Sequence, residues 1–251
     1  MLKQVRRWLP QRAIVVVADS SFATFEFLWA VSHMRSPVQV VTRLRLDAQL
    51  FQPAPPRRPQ QKGRPRKVGH RLASLHTRLD DPKTVWQKVC LSDWYGRQDY
   101  ELEVTSATAV WYKTGMPAVP IRWVLIRDPK GQFDPQALLS TDLTARPEAI
   151  LQWFRHRWQV EVTFEEVRAH LGVETQRQWS AKAILRTTPA LLALFSIVTV
   201  LAHDYHQRVP FPMPHAAWYQ KPLPTFADAL ALVRQQLWLL QIFQTSGSAG
   251  S

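Results

Sequence analysis

Ala13-Ile14-Val15-Val16-Val17-Ala18-Asp19 is an unbroken aliphatic run that ends in an acid. Such a run predicts a strand buried on both faces, as in the middle of an α/β sheet. Ser20 and Ser21 follow as natural helix N-caps, and a helix is predicted over residues 22–33 before Pro37 stops it. Val38 to Arg45 reads as a second strand. Strand, helix, strand is the pattern of a parallel pair with its crossover. Asp19 then falls at the carboxyl end of a sheet, where α/β proteins place their ligands. A turn or capping Asp is the other reading of the same position.

The rest of the composition fits a globular chain with an anionic partner. Of 251 residues 46% are hydrophobic, enough for a core, and the formal net charge is +13 with a pI near 10.5. A chain this basic points to nucleic acid as the partner. Its single cysteine, Cys90, excludes an internal disulfide and a cysteine-built zinc site, and fits a reducing cytoplasm. Met1 to Pro10 is basic but lacks a signal-peptide core. The longest apolar run, Pro189 to Ala202, reads as a buried helix, and no membrane segment is expected.

Downstream of the βαβ unit the composition changes sharply. Pro53, Pro55, Pro56, Pro59 and Pro65 alternate with Arg57, Arg58, Lys62, Arg64, Arg66 and Lys67. That density of proline predicts an extended, mobile loop. Within it, Lys62-Gly63-Arg64-Pro65-Arg66-Lys67 resembles the AT-hook core, whose arginines can enter a narrow minor groove. A basic loop touching phosphates, or a solvated linker, are the plainer readings. Short strands are predicted at residues 84–91, 100–110 and 122–127, with a turn at Asp128-Pro129-Lys130-Gly131.

Pro147 suits the first turn of a long helix that Gly172 stops near Leu171. Trp153, Val160, Phe164, Val167 and Leu171 fall on one helical face and are expected to pack inward. Phe154, Arg157, Glu161, Glu165 and Arg168 form a second, mostly charged stripe beside it. Glu161 is thus expected at a core edge with cations a turn away, which would keep it ionised. An ordinary amphipathic helix with an Arg157–Glu161 ion pair fits the same spacing. A strand-end Asp, a helical Glu and a basic chain together suit two-metal phosphoryl transfer on DNA.

The stretch Phe154-Arg155-His156-Arg157-Trp158-Gln159-Val160-Glu161, continuing to Arg168 and the His170-Leu171-Gly172 that follows, resembles a known signature. It is Tyr, two residues, Arg, three residues, Glu, six residues, Lys. That signature belongs to DDE transposases of bacterial insertion sequences, the insertion-sequence-four type. Val15 to Asp19 resembles the second acidic motif of that family, and Arg43-Leu44-Arg45 also looks familial. The resemblance implies an RNase H-like α/β core with a β-rich insertion and C-terminal helices. It implies that Asp19 and Glu161 are catalytic acids that bind Mg²⁺ or Mn²⁺, and that Phe154, Arg157 and Arg168 contact DNA. With them, Arg64, Arg66 and Lys67 are the expected DNA-binding residues.

Three positions depart from the signature. Phe154 stands where the family has Tyr, and Arg168 where it has Lys, which keeps the charge and permits bidentate phosphate contact. The first Asp of the family has no counterpart, since Asp47, Asp80 and Asp81 come too late in the order. The core is therefore expected to be incomplete at its N-terminal side. His203 and His206 beside Asp204, and His156 and His170, lack a ligand set and read as surface or structural residues.

These readings divide the chain into the second half of an RNase H-like sheet (1–50), a basic loop (51–80), a β-rich insertion (81–146), a catalytic helix with its follower (147–205), a C-terminal helical region (206–243) and a disordered tail (244–251). The expected activity is metal-dependent strand cleavage and strand transfer at insertion-sequence ends. The partners are element-end and target DNA, with a homodimer on DNA and a cytoplasmic, nucleoid-associated location. The alternative is an inactive truncated fragment that only binds DNA.

Overall fold

The computed structural model describes residues 1–57, 60, 62–94, 97–175, 177, 179–213, 221 and 223–247, with backbone alone for 93, 98 and 241–247. It divides into two compact units, Met1–Trp158 and Gln159–Ser251.

The first unit opens with a short helix, α1 (Leu2–Trp8), followed by β1 (Val15–Val17). Asp19 caps a 3-10 turn at Ser20–Phe22, and Thr24, not Ser20 or Ser21, caps helix α2 (Phe25–Ser32). The change follows from Thr24, whose hydroxyl accepts from the backbone of Phe27 at 3.4 Å. Strand β2 (Gln39–Leu44) returns parallel to β1, with Val16 opposite Val40. The expected βαβ unit is therefore present.

Burial of β1 differs from the expectation. Val15, Val16 and Val17 are each half-buried, and only Ala18 of the run is buried. Among the described residues β1 is an edge strand paired to β2 alone, so half of its backbone groups meet no neighbouring strand.

The remaining strands are β3 (Leu50–Phe51), β4 (Gln87–Trp94), β5 (Arg97–Trp111), β6 (Val119–Arg127) and β7 (Gln136–Ser140), with helix α3 (Leu75–Asp80) after β3. They extend the same sheet rather than forming a layer of their own. The order is β1-β2-β7-β6-β5-β3, with β4 also on β5, and every pair beyond β1-β2 is antiparallel. Strand β7 supplies the link, pairing β2 on one side and β6 on the other. Its Ala137, Leu138, Leu139 and Ser140 are all buried, as a central strand requires.

Alternation along these strands fills two cores. On one face Val38, Val40, Leu44, Ile121, Trp123 and Leu125 pack with Leu28 and Val31 of α2 and Leu75 of α3. On the other, Val41, Val124, Ile126 and Leu138 pack with Ile150, Leu151 and Phe154 of helix α4 (Pro147–Arg155).

The Pro/Arg-rich loop leaves this sheet through a hydrogen-bonded neck. Gln52 donates to the carbonyl of His70, Gly69 donates to that of Gln52, and Leu72 donates to that of Leu50, each at 2.8 Å. These bonds fix the loop at its base. Arg58 and Pro59 lie outside the described residues.

The long helix expected from Pro147 to Leu171 is broken. A 3-10 turn at His156–Trp158 separates α4 from α5 (Gln159–Leu171), and the boundary between the two units falls there. Val160 and Phe164, expected to pack inward, are exposed, whereas Val167 is fully buried.

The second unit continues with α6 (Ala181–His206) and α7 (Phe226–Gly247). Ser180 caps α6, its hydroxyl accepting from Ala183 at 3.2 Å. Val198 and Ala202 of α6 pack with Phe226 and Val233 of α7. Contrary to the expected buried helix, Val198 and Ala202 are the buried residues of α6, while Leu185, Ile197 and Val200 are more than half exposed. Helix α6 is long and apolar enough, by length and composition, to cross a membrane. Helix α7 runs past Phe243 to Gly247, into the expected tail, while 248–251 lie outside the described residues.

Candidate nucleic-acid site at the end of the sheet

The topology brings several chain segments to one end of the sheet in the first unit. Strands β1 and β2 are parallel, and both finish there. β7 starts opposite the end of β2, with Ala137 facing Leu44, so the β6–β7 connection lies there too. β5 runs against β6, which adds the β4–β5 hairpin and Arg97. Helix α4 finishes at the same end, because Arg43 of β2 stands over the ring of Phe154.

Asp19 is exposed at this end. Its Oδ1 accepts from the backbone N–H of Ser20 at 2.8 Å, and its carbonyl accepts from the Thr42 hydroxyl at 2.8 Å. The capping role and the strand-end position therefore coexist. Beside it lies a cavity of about 520 Å³ lined by Ser20, Ser21, Arg43 and Arg45, with Trp111 as its apolar wall. Arg45 is committed to Asp47 through two hydrogen bonds of 2.8 and 2.7 Å.

Arg43 also lines a second cavity, of about 470 Å³, together with Arg97, Trp94, Phe133, Asp134 and Gln136. Arg97 is held in place from below. Its Nη1 donates to the Tyr100 hydroxyl at 3.1 Å and also bonds Gln132, and its Cζ stands 5.1 Å from the Tyr100 ring centroid. Tyr100 donates in turn to Oδ2 of Asp128 at 2.8 Å. Asp128 also accepts from the backbone N–H groups of Lys130 and Gln132, which shapes the β6–β7 turn. Burial pushes the Asp128 carboxyl up, but these hydrogen bonds outweigh it and hold it below the usual aspartate range. Burial first, and then the bond to Asp128, raise the Tyr100 hydroxyl, which stays protonated and able to donate.

Phe154 does not face solvent. It is 1% exposed, and the guanidinium carbons of Arg43 and Arg157 lie 5.8 and 5.9 Å from its ring centroid. The expected contact of Phe154 with DNA has no surface in this structure. Its ring instead seats two cations, an arrangement that favours guanidinium over an aromatic face.

The other expected residues lie as follows. Arg64, Arg66 and Lys67 are exposed on the basic loop, with Lys67 Nζ 5.9 Å from the Tyr112 ring centroid. Glu161 is exposed in the first turn of α5, in the second unit. Arg168, also in that unit, pairs with Glu174 at 2.7 Å, and the bond raises its guanidinium further above the ordinary value.

Arg97 was missed by sequence reasoning. The local signal was an aromatic-basic stretch of sequence, Trp94-Tyr95-Gly96-Arg97, between two predicted strands.

DDE superfamily nucleases are generally dependent on divalent metal. Two divalent ions need several carboxylates around them. Among the described residues no group of three or more His, Cys, Asp or Glu side chains is placed to hold one. The described residues do not by themselves build a metal centre.

Comparison with curated proteins gives no match. Residues 1–115 match the family model of the DDE superfamily endonucleases. The match takes in Asp19, Arg43, Arg97 and the basic loop, and stops before the signature stretch that begins at Phe154. Residues 1–115 are thus similar to DDE superfamily endonucleases, a match that spans less than half of the chain.

Proposed function

We propose that the chain is part of a transposase that cleaves DNA at the ends of an insertion sequence and joins the freed strand to target DNA. The observation that carries this reading is the company of Asp19 at the sheet end. One strand-end carboxylate stands with a cavity lined by Arg43, in a chain of net charge +13. Strand-end carboxylates suit chemistry at phosphorus, and surrounding arginines neutralise the phosphates on either side. The resemblance around Glu161 assigns it as the family's third acid, after Asp19 as the second, with Arg157 and Arg168 on the DNA backbone. Mg²⁺ or Mn²⁺ is the cofactor this reading requires, and synapsis of two element ends favours a homodimer on DNA in the cytoplasm.

A second reading is a fragment that binds DNA without cutting it. Among the described residues no group of three or more acids or histidines is placed to hold a metal, which favours this reading. One assay separates the two. Element-end DNA is incubated with the chain and Mg²⁺ or Mn²⁺, and strand cleavage and binding are read in parallel. Cleavage that is lost in both Asp19→Asn and Glu161→Gln, with binding retained, supports the transposase. Binding without cleavage supports the fragment. Cleavage that survives both substitutions overturns the assignment of the acids.

A further inference from the structure

We propose that the cavity between Arg43 and Arg97 is a phosphate site, which holds a backbone phosphate of a DNA strand running along the end of the sheet. The proposal rests on DNA being the substrate, and adds a site that the resemblance does not assign. Two guanidiniums line one cavity of about 470 Å³. Each is anchored from the protein side: Arg43 over the buried Phe154 ring, Arg97 on Tyr100 and Gln132. Anchored guanidiniums lose little freedom on binding, and their planar forks match phosphate oxygens.

The tether behind Arg97 supports this reading. Arg97 donates to Tyr100, Tyr100 donates to Asp128, and two backbone N–H groups close the turn on Asp128. The buried Asp128 carboxylate is satisfied by the tyrosine hydroxyl and the turn amides, and it also attracts Arg97 electrostatically, which holds the guanidinium in place. Asp128 is 9% exposed and fixes the loop without entering the cavity lining. The acid that does line the cavity is the exposed Asp134. It opposes an anion, so its removal should strengthen binding.

Position gives the path of the strand. Arg43 lines this cavity and also the one beside Asp19. A phosphate between Arg43 and Arg97 therefore lies one cavity away from the strand-end acid. That makes Arg97 a positioning residue rather than a catalytic one.

The test is binding of a short labelled DNA strand, single and duplex, by fluorescence anisotropy over about 50–200 mM salt. Arg97→Gln should weaken binding and reduce the slope of log affinity against log salt by about 0.9 on duplex and about 0.7 on single strands, as expected for one phosphate fewer held. Arg97→Lys should keep the slope, and Asp134→Asn should raise affinity. Thermal unfolding of each variant checks the fold, and Arg43→Gln gives an independent loss if Arg97→Gln unfolds. Affinity and slope unchanged in both Arg97→Gln and Arg43→Gln overturn the proposal. Competition by free nucleoside triphosphate as strong as that by DNA also overturns it, since the site would then hold a free nucleotide. Failure of the parent chain to bind any DNA tells against the substrate itself, and so against the proposed function, before the cavity variants are reached.

Discussion

Arg43 and Phe154 join the end of a strand to the end of a helix: the guanidinium carbon of Arg43 lies 5.8 Å from the centroid of the buried Phe154 ring. The contact ties β2, which follows the strand-end acid by one crossover, to the last turn of α4. It also keeps the Phe154 ring in the core and not at the surface.

Truncating that ring should be costly. Phe154→Ala is expected to lower stability by about 3–5 kcal/mol, as for other buried aromatics. Phe154→Leu keeps most of the volume and should cost under about 1.5 kcal/mol. Denaturant unfolding measures both. A small loss in the Ala variant would mean that the ring is not part of the core.

The basic loop should act on DNA through charge. Replacing Arg64, Arg66 and Lys67 together by Ala should reduce the salt slope by up to about 3, at about 0.9 for each phosphate no longer neutralised. Anisotropy titrations at several salt concentrations give that slope. An unchanged slope would show that the loop does not reach phosphate.

The neck of the same loop has a steric requirement. A Cβ on Gly69 would fall 2.6 Å from the carbonyl oxygen of Pro53. That oxygen is backbone and cannot swing away, so Gly69→Ala should open the neck at a cost of about 1–3 kcal/mol. Limited trypsin digestion should then cut at the loop arginines faster than in the parent. Equal digestion rates would mean that the neck tolerates the extra atom.

Acid should loosen the sheet end through Asp128. Its carboxyl is held below the ordinary value of 3.8, so its contribution is complete above that pH. It is lost as pH falls through the lower, folded value. Asp128→Asn should cost about 1–3 kcal/mol at neutral pH and make the stability curve flatter below about pH 4. Unfolding midpoints across that range check it, and a variant that stays parallel to the parent down to acid pH would contradict it.

The apolar side chains on α6 should limit solubility. Leu185 is 74% exposed and Val200 60% exposed. Replacing both by Lys removes exposed apolar surface and should raise the soluble fraction without unfolding the chain. Sedimentation of parent and variant over a concentration series compares them.

The parts of the fold that sequence made legible are those with strong local periodicity. The aliphatic run before Asp19, its crossover helix and β2 were all readable, because a parallel βαβ unit advertises itself in hydrophobic runs. Strand β7 was not, although it holds the sheet together. Gln136-Ala137-Leu138-Leu139-Ser140 has no β-branched residue, and only its central position makes it a strand. The edge position of β1 was expected from the resemblance and not from the run itself, since burial depends on neighbours that no single run specifies. At the site, Asp19 was legible as a strand-end acid. The seat of Arg43 on Phe154 and the Tyr100–Asp128 bond behind Arg97 were not, because they join residues far apart in sequence. The helix signature misled on burial because burial varies along one face of α5, where Val160 and Phe164 are exposed and Val167 is buried.

The hydrogen-bonded neck at Gln52 and Gly69 separates the fate of the loop from that of the sheet. Once its ends are clamped, doubling the length of a flexible loop adds only about 0.6 kcal/mol of closure cost. Residues can thus be gained, dropped or exchanged beyond the clamp while β3 and β5 keep their register. The basic segment behaves as a detachable cassette, and its reach and charge could be altered or transplanted without redesigning the body that carries it.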